Sequence, residues 1–457
     1  MKRIAQLSPS KSSRPSRREF LQRGGRLAGA SVLVSMAVPS VHAAEDNTIR
    51  LALIGSGNRG SGAVGNAMSV EGGPVKLVAM ADLFDNRLTA SLKALSKQFG
   101  DRIDVPPERQ FVGFDAYRKA VDCLRPGDIA ILTTYSGFRP THLEYAVQKG
   151  VHVFMEKSIA PDPGGIRRVL KAGEAAKAKN LKVATGLMCR HSASRQELIR
   201  RIRDGALGQV QLVRAYRMEY RAPLRPRQQG DHELYWQIRN PERLLWVAGG
   251  YFHDRTIHLV DEMCWLKDSW PVAAHGVGGR SLDAASDLSQ DLHSYSIEYT
   301  FADGTKGMVV GRYLAECYPE FATFVHGTKC AAQFSGSIHA PTVRIHQDQR
   351  IARDTIAWEP PKEQVSPYQE EWRVLLDAIR SDRPHNEVER SAYSDLATIM
   401  GRAAVHSGKI VTWDEALASD FRFCPDIDRL TSDSSAPAKA DAAGCYPIPV
   451  PGQWSEI

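Results

Sequence analysis

The feature that most constrains this chain is a glycine turn set between two kinds of periodicity. Arg50-Leu51-Ala52-Leu53-Ile54 is a short apolar run, Gly55-Ser56-Gly57-Asn58-Arg59-Gly60 follows, and Ser61 to Met68 reads as a helix start. Three glycines at that spacing mean little alone. Between strand and helix they mean more: Gly55 permits a tight turn, Gly57 lets the backbone approach a ligand, and the helix N-terminus presents amides to an anion. A dinucleotide pyrophosphate suits that geometry. The next apolar run, Val75 to Asp82, ends in an acid roughly 20 residues on, where a ribose-binding carboxylate is required. Asp82 would accept hydrogen bonds from both ribose hydroxyls and repel a 2′-phosphate, which favours NAD over NADP, with Arg87 nearby moderating the preference.

Further apolar runs at Ile129 to Thr133, Val151 to Met155 and Lys182 to Gly186 each follow a helix-like segment: Ala116 to Cys123, Thr141 to Lys149 and Gly164 to Ala178. Strands alternating with helices predict a parallel, doubly wound Rossmann sheet. After Gly186 the texture changes. A basic amphipathic segment, Ser194 to Arg203, leads to a strand from Val210 to Tyr220, a Pro- and Arg-rich stretch to Asn240, and a helix from Tyr251 to Leu266. Period-two runs follow at His293 to Phe301, Gly307 to Leu314, Phe321 to Val325, Ala331 to Phe334 and Val343 to His346, then helices at Tyr368 to Ile379 and Ala392 to Val405. The prediction is an α/β chain: a Rossmann domain over 44–186 and an α+β domain with an open, mostly antiparallel sheet over 187–418. The Ala-, Ser- and Pro-rich tail, 419–457, reads as extended, packing if at all on a surface.

The net charge of +7 would suit a nucleic-acid partner if it were spread over the molecule. It is not: 1–43 hold eight basic residues against one acid, and the rest of the chain carries 51 of each. A neutral remainder gives no general attraction to phosphate backbones. The leader, with Ser16-Arg17-Arg18-Glu19-Phe20-Leu21 before a modest apolar stretch and Val41-His42-Ala43 as a small-residue cleavage point, resembles a twin-arginine signal and predicts a periplasmic or exported protein. No other stretch is long and apolar enough to span a membrane. The seven cysteines, Cys123, Cys189, Cys264, Cys317, Cys330, Cys424 and Cys445, show neither Cys-x-x-Cys nor metal-ligand spacing.

Two further motifs carry chemistry. Glu156-Lys157-Ser158 follows the strand ending at Met155, so its charges sit at the carboxyl end of the sheet, where doubly wound folds bind ligands. In Gly249-Gly250-Tyr251-Phe252-His253-Asp254-Arg255-Thr256-Ile257-His258, Asp254, His258 and Asp261 recur at i, i+4 and i+7, a polar stripe flanked by Ile257, Leu259, Val260 and Met263. Read alone, that stripe is as consistent with a satisfied structural network as with an active site, and no further ligands support a metal there.

Together the glycine turn, Glu156-Lys157 and Asp254-x-x-x-His258 resemble the Gfo/Idh/MocA family, named for glucose-fructose oxidoreductase, inositol dehydrogenase and a rhizopine-catabolism protein. The resemblance runs from Arg50 to Ala418. The segment from Asn386-Glu387 to Trp413-Asp414-Glu415, with Ile399-Met400-Gly401-Arg402 inside it, looks like an exported subgroup. The resemblance implies a nicotinamide-dependent oxidoreductase, a dimer or tetramer, and Lys157, Asp254 and His258 as the catalytic set. One departure is Ser158, where the family has proline; proline would fix the turn presenting the lysine, and serine loosens that restriction. Candidate cofactor contacts are Gly55, Gly57, Asn58, Arg59, Gly60, Asp82, Thr133, Thr134, Tyr135, His142, Glu156 and Lys157. Arg190, His232, Tyr235, Trp236 and Arg239 are candidate sugar contacts by residue type.

The expected chemistry is oxidation of a secondary hydroxyl of a sugar or polyol, with His258 as general base, Asp254 orienting it or binding the hydroxyl, and Lys157 stabilising the alkoxide. Export adds a condition. A soluble nicotinamide pool is not expected outside the cytoplasm, so NAD would have to travel bound and be regenerated in place. Two enzymes satisfy this: an oxidoreductase that oxidises one sugar and reduces another, or an NAD-dependent glycoside hydrolase acting by transient oxidation and elimination. A non-catalytic sugar-binding protein with structural NAD is the third alternative.

Overall fold

The alternation of apolar runs and helices builds a six-stranded sheet in which every pairing is parallel. Its strands are β1 (Ile49–Ile54), β2 (Val75–Asp82), β3 (Gln110–Val112), β4 (Ile129–Leu132), β5 (His152–Met155) and β6 (Val183–Thr185), in the order β3-β2-β1-β4-β5-β6. The architecture is that of a computed structural model describing residues 47–227, 230, 232–281, 287–336 and 342–457. The leader, 1–43, with its expected signal and cleavage point, lies outside the described residues.

The order reverses between β1 and β4, and that switch point opens a crevice at the carboxyl ends of the strands. β4 and β5 are buried throughout, as strands covered on both faces must be. Helices Ala116–Val121, Arg139–Lys149 and Pro163–Ala178 cover one face. Asn58–Met68 and Asp85–Phe99 cover the other, joined by Pro367–Arg380, whose Trp372 stacks on Phe154 at 4.4 Å. That last helix follows the second sheet in sequence, yet it packs on the first. Local chemistry sets the helix ends: Asp162 accepts the Gly165 amide at 2.8 Å before Pro163, and Gly150 takes the left-handed conformation that stops Arg139–Lys149.

The second sheet has nine strands: β7 (Val210–Met218), β8 (Ala273–Gly279), β9 (Ser294–Thr300), β10 (Lys306–Arg312), β11 (Glu320–Gly327), β12 (Ala331–Ser335), β13 (Arg344–His346), β14 (Ile356–Trp358) and β15 (Val411–Thr412), ordered β14-β13-β12-β11-β7-β10-β9-β8-β15. All its pairings are antiparallel except β7 with β10. The N-terminal Rossmann sheet and the open, mostly antiparallel C-terminal sheet are thus both present. β9 and β10 alternate buried and half-buried residues, one face packed under helices Gly250–Lys267 and Val388–Ser407. β8 had no sequence signal because it reads Ala-Ala-His-Gly-Val-Gly-Gly. A Cβ on Gly276 or Gly278 would meet Val405 at 2.8 or 2.6 Å, so the glycines let the Val388–Ser407 helix lie close on the strand.

The tail from 419 onward is irregular, with the short helical turn Ile427–Arg429 and further turns along it, but it does more than cover a surface. Glu456 is fully buried, with Oε1 2.7 Å from Arg402 Nε and Oε2 3.1 Å from His406 Nδ1. Arg402 also donates to the carbonyls of Gly249 and Pro161, both at 2.9 Å, so this buried guanidinium is well compensated.

Candidate active site

The glycine turn closes as its residue types require. Gly55 has φ of +96°, and a Cβ there would stand 2.7 Å from the Thr133 carbonyl carbon and the Thr134 nitrogen; at Gly60 it would stand 2.2 Å from the Gly55 oxygen. At Gly57 it would meet nothing within 4 Å, because that position faces the open crevice. The cleft beyond it holds about 930 Å³, counting the part open to solvent, and brings Gly55, Gly57, Asn58, Arg59, Gly60, Asp82, Thr133, Thr134, Tyr135 and His142 around one space. Asp82 stands at the end of β2, accepting the Ser56 amide at 2.7 Å and the Phe84 amide at 2.9 Å. Burial raises its pKa, and those two amides oppose the rise. His142 is held as neutral imidazole, its pKa pushed down to about 3 by burial and then by Arg139; its ring stacks on Tyr117 at 4.2 Å and Nδ1 lies 3.1 Å from Thr134 Oγ1. A helix N-terminus, an open backbone at Gly57 and an acid at the second strand's end fit a dinucleotide: the turn would take the pyrophosphate and Asp82 a ribose.

Glu156 does not line this space. It is buried against Gly186, where a Cβ would stand 2.7 Å from its carboxylate, and it accepts from Arg59 Nε at 2.5 Å and from the Lys157 amide at 3.1 Å. Arg59 also reaches buried Glu371 at 3.2 Å. Glu156 therefore ties the glycine turn to the lysine loop, a positioning role in place of the expected cofactor contact.

Lys157 Nζ donates to the Asp254 carbonyl at 2.6 Å and lies 3.4 Å from Asp254 Oδ1. Burial alone would raise the Asp254 pKa; Lys157 first, then Arg255 and Arg139, hold it down at about 2. The Lys157–Ser158 peptide is cis. Serine in place of proline does not leave the loop loose. The Ser158 carbonyl accepts from buried Arg139 Nη1, and Asp395 Oδ2 accepts the amides of Ile159 and Ala160 at 2.6 and 2.9 Å. Asp395 Oδ1 in turn stands 2.9 Å from His253 Nε2. Arg139, Asp395 and His253 drew no attention in the sequence, although His253 sits inside the motif that supplies Asp254.

The polar stripe of the Gly250–Lys267 helix faces the lysine loop and the segment after β6. Asp254 meets Lys157, His258 Nδ1 lies 4.0 Å from Cys189 Sγ, and Asp261 takes a two-pronged contact from Arg190 and the Ser394 hydroxyl at 2.6 Å. Asp254 thus pairs with Lys157; the expectation was that it orients His258 or binds the substrate hydroxyl. No group of three or more His, Cys, Asp or Glu placed to hold a metal ion occurs among the described residues.

The candidate sugar contacts separate. Arg190 is committed to Asp261 at 2.8 Å, because an arginine buried beside a carboxylate satisfies both charges. Trp236 is buried, stacked on Tyr446 at 6.1 Å, with Arg227 4.1 Å from its ring centre and its Nε1 donating to the Arg225 carbonyl, which leaves no free face for a sugar. Tyr235 packs edge-on against Phe84 and Phe114, each at 5.9 Å, and Arg239 lies 5.2 Å from the Phe84 ring centre. Both aromatics line the nucleotide cleft, as does Ile238, so the helix Glu233–Arg239 caps that cleft. His232 is exposed beside Tyr235.

The GFO/IDH/MocA C-terminal domain model matches residues 196–333. The inositol 2-dehydrogenase of Rhizobium meliloti (strain 1021) is 25% identical over 285 residues, 62% of this chain and 74% of that protein. Among solved structures, the fold is similar to an aldose-aldose oxidoreductase from Caulobacter crescentus complexed with glycerol (TM-score 0.62, 19% identity, 80% of this chain and 99% of that one). It is also similar to the scyllo-inositol dehydrogenase of Lactobacillus casei with bound NAD(H) and scyllo-inositol (TM-score 0.59, 20% identity, 81% and 100%). The family model spans β7 to most of β12 of the second sheet; the chain is an oxidoreductase that carries a GFO/IDH/MocA C-terminal domain over residues 196–333 and is similar to the dehydrogenases of that family.

Proposed function

We propose that this enzyme oxidises a secondary hydroxyl of a sugar or polyol, using NAD that stays bound and is regenerated in place, and that it works outside the cytoplasm. The observation that carries the reading is the contact of Lys157 Nζ with Asp254, at the carboxyl end of β5, in a loop that Glu156 ties to Arg59 of the glycine turn. Nicotinamide, when bound, supplies the hydride acceptor. Lys157 donates to the substrate oxygen and stabilises the charge that develops as its proton leaves. Asp254 orients the ammonium, and His258, one turn along the same helix, accepts the proton as neutral imidazole. The relatives named for inositol and aldose support a polyhydroxylated substrate. Asp82 supports NAD over NADP, since a carboxylate there repels a 2′-phosphate.

Two observations support a resident nucleotide. The helix Glu233–Arg239 caps the cleft, and the tail braces that helix from behind: Gln237 Nε2 donates to the Ala438 carbonyl at 2.7 Å, and Tyr446 stacks on Trp236. The arginine pair of the leader supports export of the folded, loaded protein.

The test is to purify the mature protein, denature it and identify the released nucleotide by mass spectrometry, then supply polyols with a second sugar as acceptor. The expected outcome is co-purifying NAD and oxidised product matched by reduced acceptor, with no free NADH. Protein that neither carries nor binds NAD in calorimetry overturns the proposal. Release of an aryl group from a glycoside with solvent deuterium at C2 and no net reduction would replace it with the eliminating hydrolase. Cell fractionation that finds the mature chain only in the cytoplasm removes the export reading.

A further inference from the structure

Asn240-Pro241-Glu242-Arg243 follows the capping helix and forms one short turn, Pro241–Arg243. From it Glu242 Oε1 accepts from Arg255 Nη2 at 2.5 Å. Arg255 Nε lies 3.6 Å from Asp254 Oδ2, and the other Asp254 oxygen lies 3.4 Å from Lys157 Nζ. Lys157, Asp254, Arg255 and Glu242 therefore form a row of alternating charge drawn from three separate segments of the chain. Their side chains are between 18 and 36% exposed, so the row reaches solvent instead of being sealed in the core. Arg255 is steadied by the Tyr251 ring, 5.1 Å from its guanidinium carbon, and the Tyr251 hydroxyl donates to Glu219 at 2.9 Å.

We infer that Glu242 is a positioning residue of the reaction site: by sharing Arg255 with Asp254, it sets how much of the Asp254 charge is left to hold the Lys157 ammonium. The inference rests on the reading of Lys157 and Asp254 as reacting groups. With Glu242 ionised, Arg255 has a carboxylate of its own and Asp254 is free to serve Lys157. With Glu242 neutral, more of the guanidinium charge falls on Asp254, and the lysine loses part of its counter-charge. Burial and then the Asp254 charge push the Glu242 pKa up to about 7, against the pull of Arg255 and Lys157, so the two states exchange near neutrality. The charged and titratable groups acting on this carboxylate are Asp254, Arg255 and Tyr251 from the Gly250–Lys267 helix, Lys157 from the loop after β5 and Arg243 from its own turn.

The experiment compares full-length wild type, Glu242→Gln and Glu242→Asp by competitive acylation with acetic anhydride from neutral to alkaline pH. Lys157 labelling is read against an exposed lysine by peptide mass spectrometry. Glu242→Gln should label Lys157 roughly fivefold faster near neutrality, and Glu242→Asp should restore the wild-type curve. Superimposable wild-type and Glu242→Gln curves overturn the inference, with thermal melting confirming that both are folded. A second arm follows single-turnover hydride transfer from myo-inositol to NAD: Glu242→Gln should lower the maximal rate about tenfold and displace its pH profile, with KM little changed. A change in KM alone, with the same pH profile, overturns it. If no polyol reacts, the substrate reading fails, and the labelling curves still decide the place of Glu242.

Discussion

Asp395 Oδ2 accepts the amide of Ile159 at 2.6 Å, two residues beyond Lys157, so a helix late in the chain fixes the loop that presents the lysine. The same carboxylate faces buried His253 at 2.9 Å. Asp395→Ala strips partners from two backbone amides and an imidazole in a closed interior. It should cost about 3 kcal/mol of stability, measured by urea denaturation, and Asp395→Asn should recover part of that. A variant as stable as wild type would mean that the loop is held by Arg139 alone.

Lys157→Ala and His258→Ala should each lower turnover by about 10²- to 10⁴-fold while leaving nucleotide content unchanged. Polyol oxidation and the nucleotide released on denaturation give the two readouts. Near-normal turnover in His258→Ala would remove it as the base and leave the proton to the Lys157–Asp254 pair.

The pH dependence at Asp254 has a definite sign. Its folded pKa, about 2, lies below the ordinary value of 3.8, so its ionised form stabilises the native state above that value. This contribution is lost as pH falls from 3.8 through about 2. Asp254→Asn should therefore flatten the acid limb of the stability curve in that window, followed by denaturant midpoints at successive pH values.

Glu456→Ala leaves Arg402 and His406 without their buried carboxylate and should destabilise the protein by roughly 3–5 kcal/mol, seen as a lowered melting temperature. The charges on Arg402 and His406 hold the Glu456 pKa below the carboxylate range against its burial, so the stabilisation is present at neutral pH and fades under strong acid.

Asp82→Asn keeps the size of the side chain but removes the charge that opposes a 2′-phosphate. The ratio of NAD to NADP affinity, measured by calorimetry, should fall about tenfold. An unchanged ratio would move nucleotide choice to Arg87, which lies 4.5 Å from the Phe84 ring centre at the same end of the cleft.

What the sequence determined is what short-range geometry can encode. The turn from Gly55 to Gly60 was legible because φ of +96° and a Cβ collision at 2.2 Å admit only glycine, and both arise within a few residues of a strand and a helix. The parallel sheet followed from apolar runs alternating with helical periods, and the stripe of Asp254, His258 and Asp261 from the 3.6-residue repeat. Pairing across elements has no such local signature. Asp254 meets a lysine 97 residues away, the Pro367–Arg380 helix returns to the first sheet, and the Glu233–Arg239 helix, read as sugar-facing from its aromatic and basic residues, lies against Phe84 and Phe114. Glu242 and Asp395 look in sequence like ordinary surface acids. The packing of the Pro241–Arg243 turn on the Gly250–Lys267 helix places one on Arg255, and the packing of the Val388–Ser407 helix against the loop after β5 places the other beneath the lysine, because a side chain's partner depends on which faces meet, and periodicity sets only which face is buried.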